Sequence, residues 1–173
     1  MTELIDHINE LIVDCIPDVT THGLCHLIND TGGHYPALVA KSSQRITPDD
    51  RHTITLYHRL LNGNGQVSEE FSFGRRLARQ NNQAVRTVIF LDLDDDPSLI
   101  DDIINALPDA FEVEGYKYAN VGPEVNLIRD RDAIWDEEFG EAYASKYQKR
   151  FHVYAVEWQL EYIKCPVCQT VSP

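Results

Sequence analysis

Two aspartates at the end of an apolar run are the residues of this chain best placed to do chemistry. Residues 86–92, RTVIFLD, are rich in β-branched and aromatic side chains and predict a buried strand. Asp92 closes this strand, Asp94 follows two residues later, and more acidic residues come directly after it. In such a pair, one carboxylate can act as a nucleophile and the other can work beside a Mg²⁺ ion. The elements around the pair decide whether it has this use or a structural one.

Haloacid-dehalogenase-like phosphatases open in this way, but the rest of the sequence departs from theirs. Their nucleophile strand lies in a parallel, doubly wound sheet, whereas the residues that follow here predict one helix and mostly antiparallel strands. DDPS stands where a Gly-Thr turn is expected, and Asp101 and Asp102 fall on the next helix. We therefore interpret the run as the start of that helix, with Asp95 or Asp96 as N-cap and Pro97 as the first helical residue. Its carboxylates then lie at the positive end of the helix dipole.

No other motif predicts catalysis. None of the seven histidines forms a His-x-x-x-His pair on a predicted helix, and NGNG (62–65) lies between β-type runs rather than at the helix start that a phosphate loop needs. We predict a protein that is not an enzyme and has no cofactor. A metal-dependent enzyme of unrecognised type, centred on residues 92–96, is the minor alternative.

The four cysteines divide into two pairs. Cys165 and Cys168 form a Cys-x-x-Cys that could supply half of a tetrahedral zinc site, but no second pair and no following histidine completes it. We favour a solvated tail with two reduced thiols. Cys15 lies on the apolar face of a predicted helix and Cys25 in a predicted strand, so both are expected in the core.

The composition is strongly acidic. Among 173 residues, 28 Asp and Glu outnumber 15 Lys and Arg, which gives a net charge of −13. This charge disfavours a protein that wraps duplex DNA, because phosphate affinity comes mostly from Lys and Arg. The same charge permits an acidic surface that DNA slides past. The simpler explanation of the acidity is that it keeps the protein in solution. No apolar stretch reaches the roughly 18 to 20 residues of a membrane helix, so we expect no membrane association. The acidic N-terminal segment predicts no signal peptide and hence a cytoplasmic origin.

Hydrophobic periodicity predicts one α+β domain over residues 1–164, followed by a tail over 165–173. An amphipathic helix is expected between Thr2 and Pro17, and a second helix between Pro97 and Pro108. The β-type runs between them are joined by turn signals such as NDTGG and NGNG. The longest β-type run starts at Phe151. The pattern predicts a mostly antiparallel sheet with two helices packed on one face and a long C-terminal strand.

Two segments of the predicted domain have an unusual content of charged residues. Residues 74–83, GRRLARQNNQ, form a basic island that contains Arg75, Arg76 and Arg79, and we predict a loop or short helix there. The island is either a solvated turn or a contact site for an acidic partner, which can be another copy of this chain. Residues 130–141 are acidic and aromatic; they predict a loop with a short helix, and the sequence assigns them no role.

The order of these elements resembles that of the tail-terminator and tail-completion proteins of tailed bacteriophages. THGLCHLI, TLYHRLL, FSFG and RTVIFLD are also similar to segments of small proteins from phages of Bacteroidetes hosts. The resemblance covers residues 3 to 163. It implies a non-enzymatic structural protein of the virion neck or tail, assembled in the host cytoplasm into a homo-oligomeric ring, commonly a hexamer. Such a ring contacts other neck, connector or tail-tube proteins, and DNA passes through its lumen.

On this interpretation, Arg75, Arg76 and Arg79 are the predicted contacts between subunits or with the tail tube. The acidity then suits a ring that conducts DNA. The alternative is a protein-binding adaptor or baseplate module of similar fold, which stays monomeric until it meets its partner.

Overall fold

The structure is a computed structural model that describes residues 1–48, 51–61, 66–73, 76–122, 125–141, 143, 147 and 150–164. At residues 42, 43, 66–73, 76–79, 117, 118 and 164 it describes the backbone alone. The helices and strands of the described residues are, in chain order, α1 (Thr2–Cys15), β1 (Val19–Asp30), β2 (Gly33–Leu38), β3 (Lys41–Arg45), β4 (Ile54–Leu60), β5 (Gln66–Phe73), β6 (Arg76–Asp92), α2 (Leu99–Asn105), β7 (Tyr116–Val121), β8 (Asn126–Ile128), α3 (Arg131–Glu138) and β9 (Phe151–Lys164).

All nine of these strands belong to one sheet. Its order is β3-β2-β1-β4-β6-β9-β7, with β5 also paired to β6 and β8 also paired to β9. Strands β1 and β4 are parallel, and the other pairs are antiparallel. The two longest strands, β6 and β9, pair in unbroken register from Gln80 opposite Ile163 to Asp92 opposite Phe151. The predicted α+β class, the mostly antiparallel sheet and the long C-terminal strand are confirmed.

Helices α1 and α2 cover one face of the sheet, as predicted. The helical spacing of the apolar residues in α1 buries Leu4, Ile5, Ile8 and Ile12 completely. These side chains pack with alternate residues of the central strands, since successive strand residues point to opposite faces. The strand residues in this cluster include Ile54, Leu56, Val85, Ile89, Leu91, Val156, Trp158 and Leu160. Burying one such side chain stabilises the fold by about 1.5 to 3 kcal/mol.

The start of α2 differs from the prediction. Ser98 is the N-cap, so Pro97 lies before the helix and neither Asp95 nor Asp96 caps it. Asp96 instead accepts a hydrogen bond from the Ser98 amide at 2.9 Å, and this bond lowers the pKa of the Asp96 carboxyl. The tight turn between β6 and α2 uses this carboxylate, and the helix begins at Leu99, two residues later than proposed.

Helix α3 covers the opposite face, where the sequence predicted only a loop with a short helix. Asp130 caps the helix by accepting a hydrogen bond from the Ala133 amide at 3.1 Å. Trp135 and Phe139 pack around Phe90 of β6, with ring centroids 5.5 and 5.9 Å from it. The sheet is therefore sandwiched between helices, and residues 85 to 91 of β6 are buried on both faces.

Helix α3 is also joined to the β1–β2 hairpin through backbone contact. The Gly140 amide donates to the His34 carbonyl at 2.8 Å, and a Cβ on Gly140 would lie only 2.5 Å from the Cα of Gly33. Gly33 has a φ of +121°, a conformation that favours glycine. This close approach requires glycine on both sides.

The two expected core cysteines have different surroundings. Cys25 is buried on β1, as predicted, and burial raises the pKa of its thiol to about 12. Cys15 is exposed, so that prediction is wrong. Ile12, one turn earlier in α1, packs on the sheet, whereas Cys15 at the helix end borders an open cleft.

Candidate functional site

Strands β5 and β6 form a hairpin that, among the described residues, extends past β4 and β9; we call its residues 66–73 and 76–82 the arm. Phe73 lies opposite Arg76 next to the turn, and Gln66 lies opposite Asn82 at the base. Strand β9 joins β6 only from Gln80 onward, so within the described ranges the first four residues of β6 have β5 alone beside them. An edge strand presents unpaired backbone groups to other chains, and a two-stranded hairpin is marginally stable by itself.

The arm holds two of the three predicted contact residues. Arg76 opens β6, and Arg79 lies opposite Glu70 of β5, while Arg75 falls outside the described residues. The prediction of a loop or short helix over 74–83 is wrong from Arg76 onward. Pairing with β5 satisfies the backbone of this polar segment and extends the strand, a long-range effect that local propensity does not contain.

The opposite end of β6 borders an open cleft of about 510 Å³, which we call the acidic cleft. The amide of Asp92, the last residue of β6, donates to the carbonyl of Thr53 at 3.2 Å, and Thr53 lines the cleft. Its apolar lining comes from Ile16, Pro17, Ile54, Leu99 and Ala106, and its polar lining from Cys15, Asp18, Thr53, Asp102 and Asn105. Asp18 and Asp102 are both exposed.

The aspartates that suggested phosphatase chemistry lie in the turn beside this cleft. Asp92 accepts a hydrogen bond from the Asp94 amide at 3.2 Å, so its carboxylate shapes the turn. Across the part of the chain that the structure describes, no group of three or more His, Cys, Asp or Glu side chains is placed to hold a metal ion. Cys165 and Cys168, the possible zinc half-site, lie outside that part.

A buried neutral network links α1 to the central strands. His58 accepts a hydrogen bond at Nδ1 from the Thr87 hydroxyl at 2.8 Å and donates from Nε2 to Asn9 Oδ1 at 2.9 Å. Trp158 Nε1 donates to the same Thr87 oxygen at 2.9 Å, and Asn9 donates to the His22 carbonyl at 3.3 Å. Burial lowers the pKa of His58 to about 3, so the ring is neutral at physiological pH.

A charged network links α3 to the same strands on the other face, and it centres on the fully buried carboxylate of Glu138. Its Oε2 accepts from the Tyr57 hydroxyl at 2.7 Å and from Arg59 Nε at 3.2 Å. Its Oε1 accepts from Arg59 at 2.7 Å and from Arg86 at 3.2 Å. Four donors thus converge on one carboxylate, which is the arrangement that makes a buried charge tolerable.

Two less buried carboxylates complete the charged network. Glu137 pairs with Arg59 at 2.9 Å and also with Arg86, and Glu157 accepts from Arg86 Nε at 3.0 Å. Burial lowers the pKa of both arginines, but hydrogen bonds to the glutamates outweigh it, so both pKa values are raised. Burial likewise raises the pKa of Glu137, and the two guanidinium groups outweigh it and lower that pKa. Arg59, Arg86 and Glu137 are therefore charged at neutral pH.

Sequence reasoning missed both networks, although it identified their strands. Arg59, Arg86 and Glu157 lie directly opposite one another on β4, β6 and β9. Arginines within the apolar runs TLYHRLL and RTVIFLD are a usable signal, because a charge in a buried strand requires a partner. The acidic segment 130–141 supplies that partner through α3. The networks hold the central strands in register, and these strands join the arm to the acidic cleft.

No helix within the described residues is both long enough and apolar enough to cross a bilayer. Comparison of the chain with protein-family models, with curated proteins and with solved structures finds no match.

Proposed function

We propose that this protein is a non-enzymatic structural component of a phage neck or tail, a ring-forming tail terminator or connector through which DNA passes. It works by assembly: copies of the chain contact one another and the adjoining neck, connector or tail-tube proteins. The ring, a hexamer on the resemblance described above, belongs to the virion and forms in the host cytoplasm.

The observation that carries this proposal is the arm. Among the described residues, the first four residues of β6 pair with β5 alone, and a two-stranded hairpin of this kind gains stability when another chain packs on it. The arm carries Arg76 and Arg79 beside Glu69 and Glu70, and in a chain of net charge −13 its arginines attract an acidic surface of another copy.

Two further features support the proposal. The elements follow the order on which the resemblance to tail terminators rests, with α3 added before the last strand. Buried hydrogen bonds and ion pairs join the central strands to α1 on one face and to α3 on the other. Such a rigid body suits a ring subunit, since ring closure requires each copy to present its two contact surfaces at a constant angle.

The first test is the mass of the purified protein by light scattering over a range of protein and salt concentrations. We expect a discrete oligomer of ring size. It should dissociate as the salt concentration rises, because salt screens the contacts between charged surfaces. A monomer at every concentration would contradict ring formation and favour the adaptor or baseplate module instead.

The second test is the triple variant Arg75→Glu, Arg76→Glu and Arg79→Glu. We expect a folded monomer, because reversing these charges turns attraction to an acidic neighbour into repulsion. The matched control replaces the same three arginines with lysine, which retains the charge and should retain most of the assembly. A ring of normal mass from the glutamate variant would show that these residues are not the contact.

A further inference from the structure

We propose that Asn82, Glu161 and Asn120 form a binding site for a divalent cation of the Ca²⁺ type. The three residues lie side by side on β6, β9 and β7, and we call them the polar row. The inference does not depend on the proposed function, since the site lies within a single chain.

Strand register places the three side chains next to one another. Asn82 lies directly opposite Glu161, and Glu161 lies directly opposite Asn120. Paired residues of antiparallel strands point to the same face, with their Cβ atoms about 4.5 to 5.5 Å apart. The glutamate is therefore flanked by one asparagine on either side.

The polar row lies on the α3 face of the sheet, apart from the charged network. Arg86 of that network comes four residues after Asn82 in β6, and an even separation within a strand keeps the same face. Helix α3 contacts β6 at Arg86 and at Phe90. The row is thus about 13 Å along the strand from the nearest of these contacts.

The amide oxygens of both asparagines are buried and unpaired. Neither Oδ1 atom has a hydrogen-bond partner among the described residues, although the two side chains are only half-buried as a whole. Nearly all buried acceptors in folded proteins are paired, and an exception indicates a water or an ion at that place. Here two such exceptions stand on either side of one carboxylate.

Glu161 supplies the negative charge of the site. Within the part of the chain that the structure describes, no hydrogen bond or ion pair joins its carboxylate to another side chain. An asparagine beside a carboxylate gains a hydrogen bond when it turns its NH₂ group toward it, and neither neighbour of Glu161 makes such a bond. The row therefore combines three unpaired oxygen acceptors.

Oxygen ligands select the kind of cation. Ca²⁺ binds carboxylate and amide oxygens at about 2.3 to 2.6 Å in a flexible geometry, whereas Zn²⁺ prefers nitrogen and sulfur. Water can complete its coordination shell, because Glu161 is half-buried and solvent reaches it. Mg²⁺ demands a near-ideal octahedron and releases its waters reluctantly, so it fits a row of three side chains less well.

A bare ion also suits the burial of the two amide oxygens. Both atoms are shielded from contact with water, and a hydrogen-bond donor would have to stay about 2.7 to 3.2 Å away. A calcium ion approaches an oxygen more closely than that. Bound in the row, it would join β6, β9 and β7 at the base of the arm, where Gln66 of β5 also pairs with Asn82.

The test measures binding of Ca²⁺ to the full chain by equilibrium dialysis and calorimetry. Salt at about 0.15 M screens the diffuse attraction of the ion to an acidic surface. We expect one ion per chain, with a dissociation constant on the order of 10⁻⁴ to 10⁻³ M, because the site has a single carboxylate. Mg²⁺ should bind more weakly than Ca²⁺.

Two variants change the site in opposite directions. Glu161→Gln removes the charge at nearly constant shape and should weaken Ca²⁺ binding about tenfold or more. Asn120→Asp adds a second carboxylate and should strengthen binding about tenfold, because ligand charge raises the affinity. A damaged fold cannot produce a gain in affinity, so Asn120→Asp tests the site even if Glu161→Gln destabilises the chain.

The matched controls make the same chemical changes at exposed positions away from the row. Glu10→Gln removes a charge from α1, on the other face of the sheet, and Asn29→Asp adds one near the end of β1. We expect each control to change the Ca²⁺ affinity less than about twofold, the small effect of a distant surface charge in salt.

Two results would overturn the inference. The first is a wild-type chain that binds no Ca²⁺ up to about 10 mM, ten times the weakest expected dissociation constant. The second is equal binding by the wild type, Glu161→Gln and Asn120→Asp, which would place the ion on the acidic surface at large. Either result leaves the proposed ring standing, since the oligomeric mass tests that separately.

Discussion

On the α1 side of the central strands the buried hydrogen-bond network joins neutral side chains, whereas on the α3 side it joins charged ones. His58 and Arg59 are neighbours on β4, and Thr87 and Arg86 are neighbours on β6, so strand alternation alone sends one of each pair to either face. Two adjacent residues on one strand thus serve two different kinds of network.

The difference lies in what each network needs from its surroundings. The neutral network joins four side chains through bonds of 2.8 to 2.9 Å that need no charge. The charged network needs its buried carboxylate, Glu138, because a buried ion without its partner costs far more than a buried amide or hydroxyl. The α1 face therefore tolerates substitution better than the α3 face.

The two tryptophans of the chain also differ between the two faces, in their hydrogen bonding. Trp158, on the α1 side, donates its indole N–H to Thr87. Trp135, on the α3 side, is fully buried and its N–H has no hydrogen-bond partner among the described residues. One tryptophan on each face gives a spectroscopic reporter for each network.

Replacing Glu138 with glutamine should have the largest effect on stability. The carboxylate accepts four hydrogen bonds, and a glutamine amide would turn an NH₂ group toward two of those donors. We expect the free energy of unfolding to fall by about 3 to 5 kcal/mol, the usual cost of breaking a buried ion pair. Urea unfolding followed by tryptophan fluorescence measures it.

The control for this variant is Asp136→Asn, which removes a charge from an exposed position on the same helix. It should change stability by less than about 0.5 kcal/mol. Equal losses from the two variants would mean that the charged network contributes no more than a surface carboxylate does.

A pH series should separate the two faces. The pKa of His58 falls from 6.5 unfolded to about 3 folded, so the unfolded chain binds a proton below pH 6.5 that the folded chain does not. Stability should decline as pH drops through this window, by about 2 to 3 kcal/mol at pH 4.5 from His58 alone. The lowered pKa of Glu137 means that its contribution is lost only below its unfolded value of 4.5. Between pH 6.5 and 5 the α1 face should therefore dominate.

Urea unfolding of the wild type and of His58→Gln at pH 7, 6 and 5 measures this difference. The variant is less stable at pH 7 because glutamine does not match the shape of the ring, but its stability should fall less steeply with pH. Parallel declines in the two proteins would show that His58 is not the titrating group.

Replacing Glu137 with glutamine should have the smallest effect. Its side chain is 47% exposed, so water screens its pairs with Arg59 and Arg86, and we expect a loss below about 1 kcal/mol. Urea unfolding with and without 1 M salt tests this, since salt at about that concentration screens exposed pairs and should remove the difference. A loss as large as that of Glu138→Gln would mean that the charged network acts as one unit. The contribution of each carboxylate would then not depend on how exposed its side chain is.

The sequence by itself determined the local elements. Helical spacing identified α1 and α2, and the long β-type run from Phe151 identified β9, because these patterns repeat within a few residues and reflect which face is buried. It also determined the acidity of the chain, whereas its prediction of Asp95 or Asp96 as the N-cap of α2 was wrong, since the N-cap is Ser98.

Only the tertiary structure decided what lies far apart in the chain. Glu138 meets Arg59 across 79 positions, and Arg76 lies in a strand because β5 pairs with it, so neither result can be obtained from a local window. The acidic cleft likewise needs the ends of α1, β4 and α2 to meet. Backbone propensity and periodicity act between near neighbours, whereas register, ion pairing and cavities depend on contacts that exist only after the chain has folded.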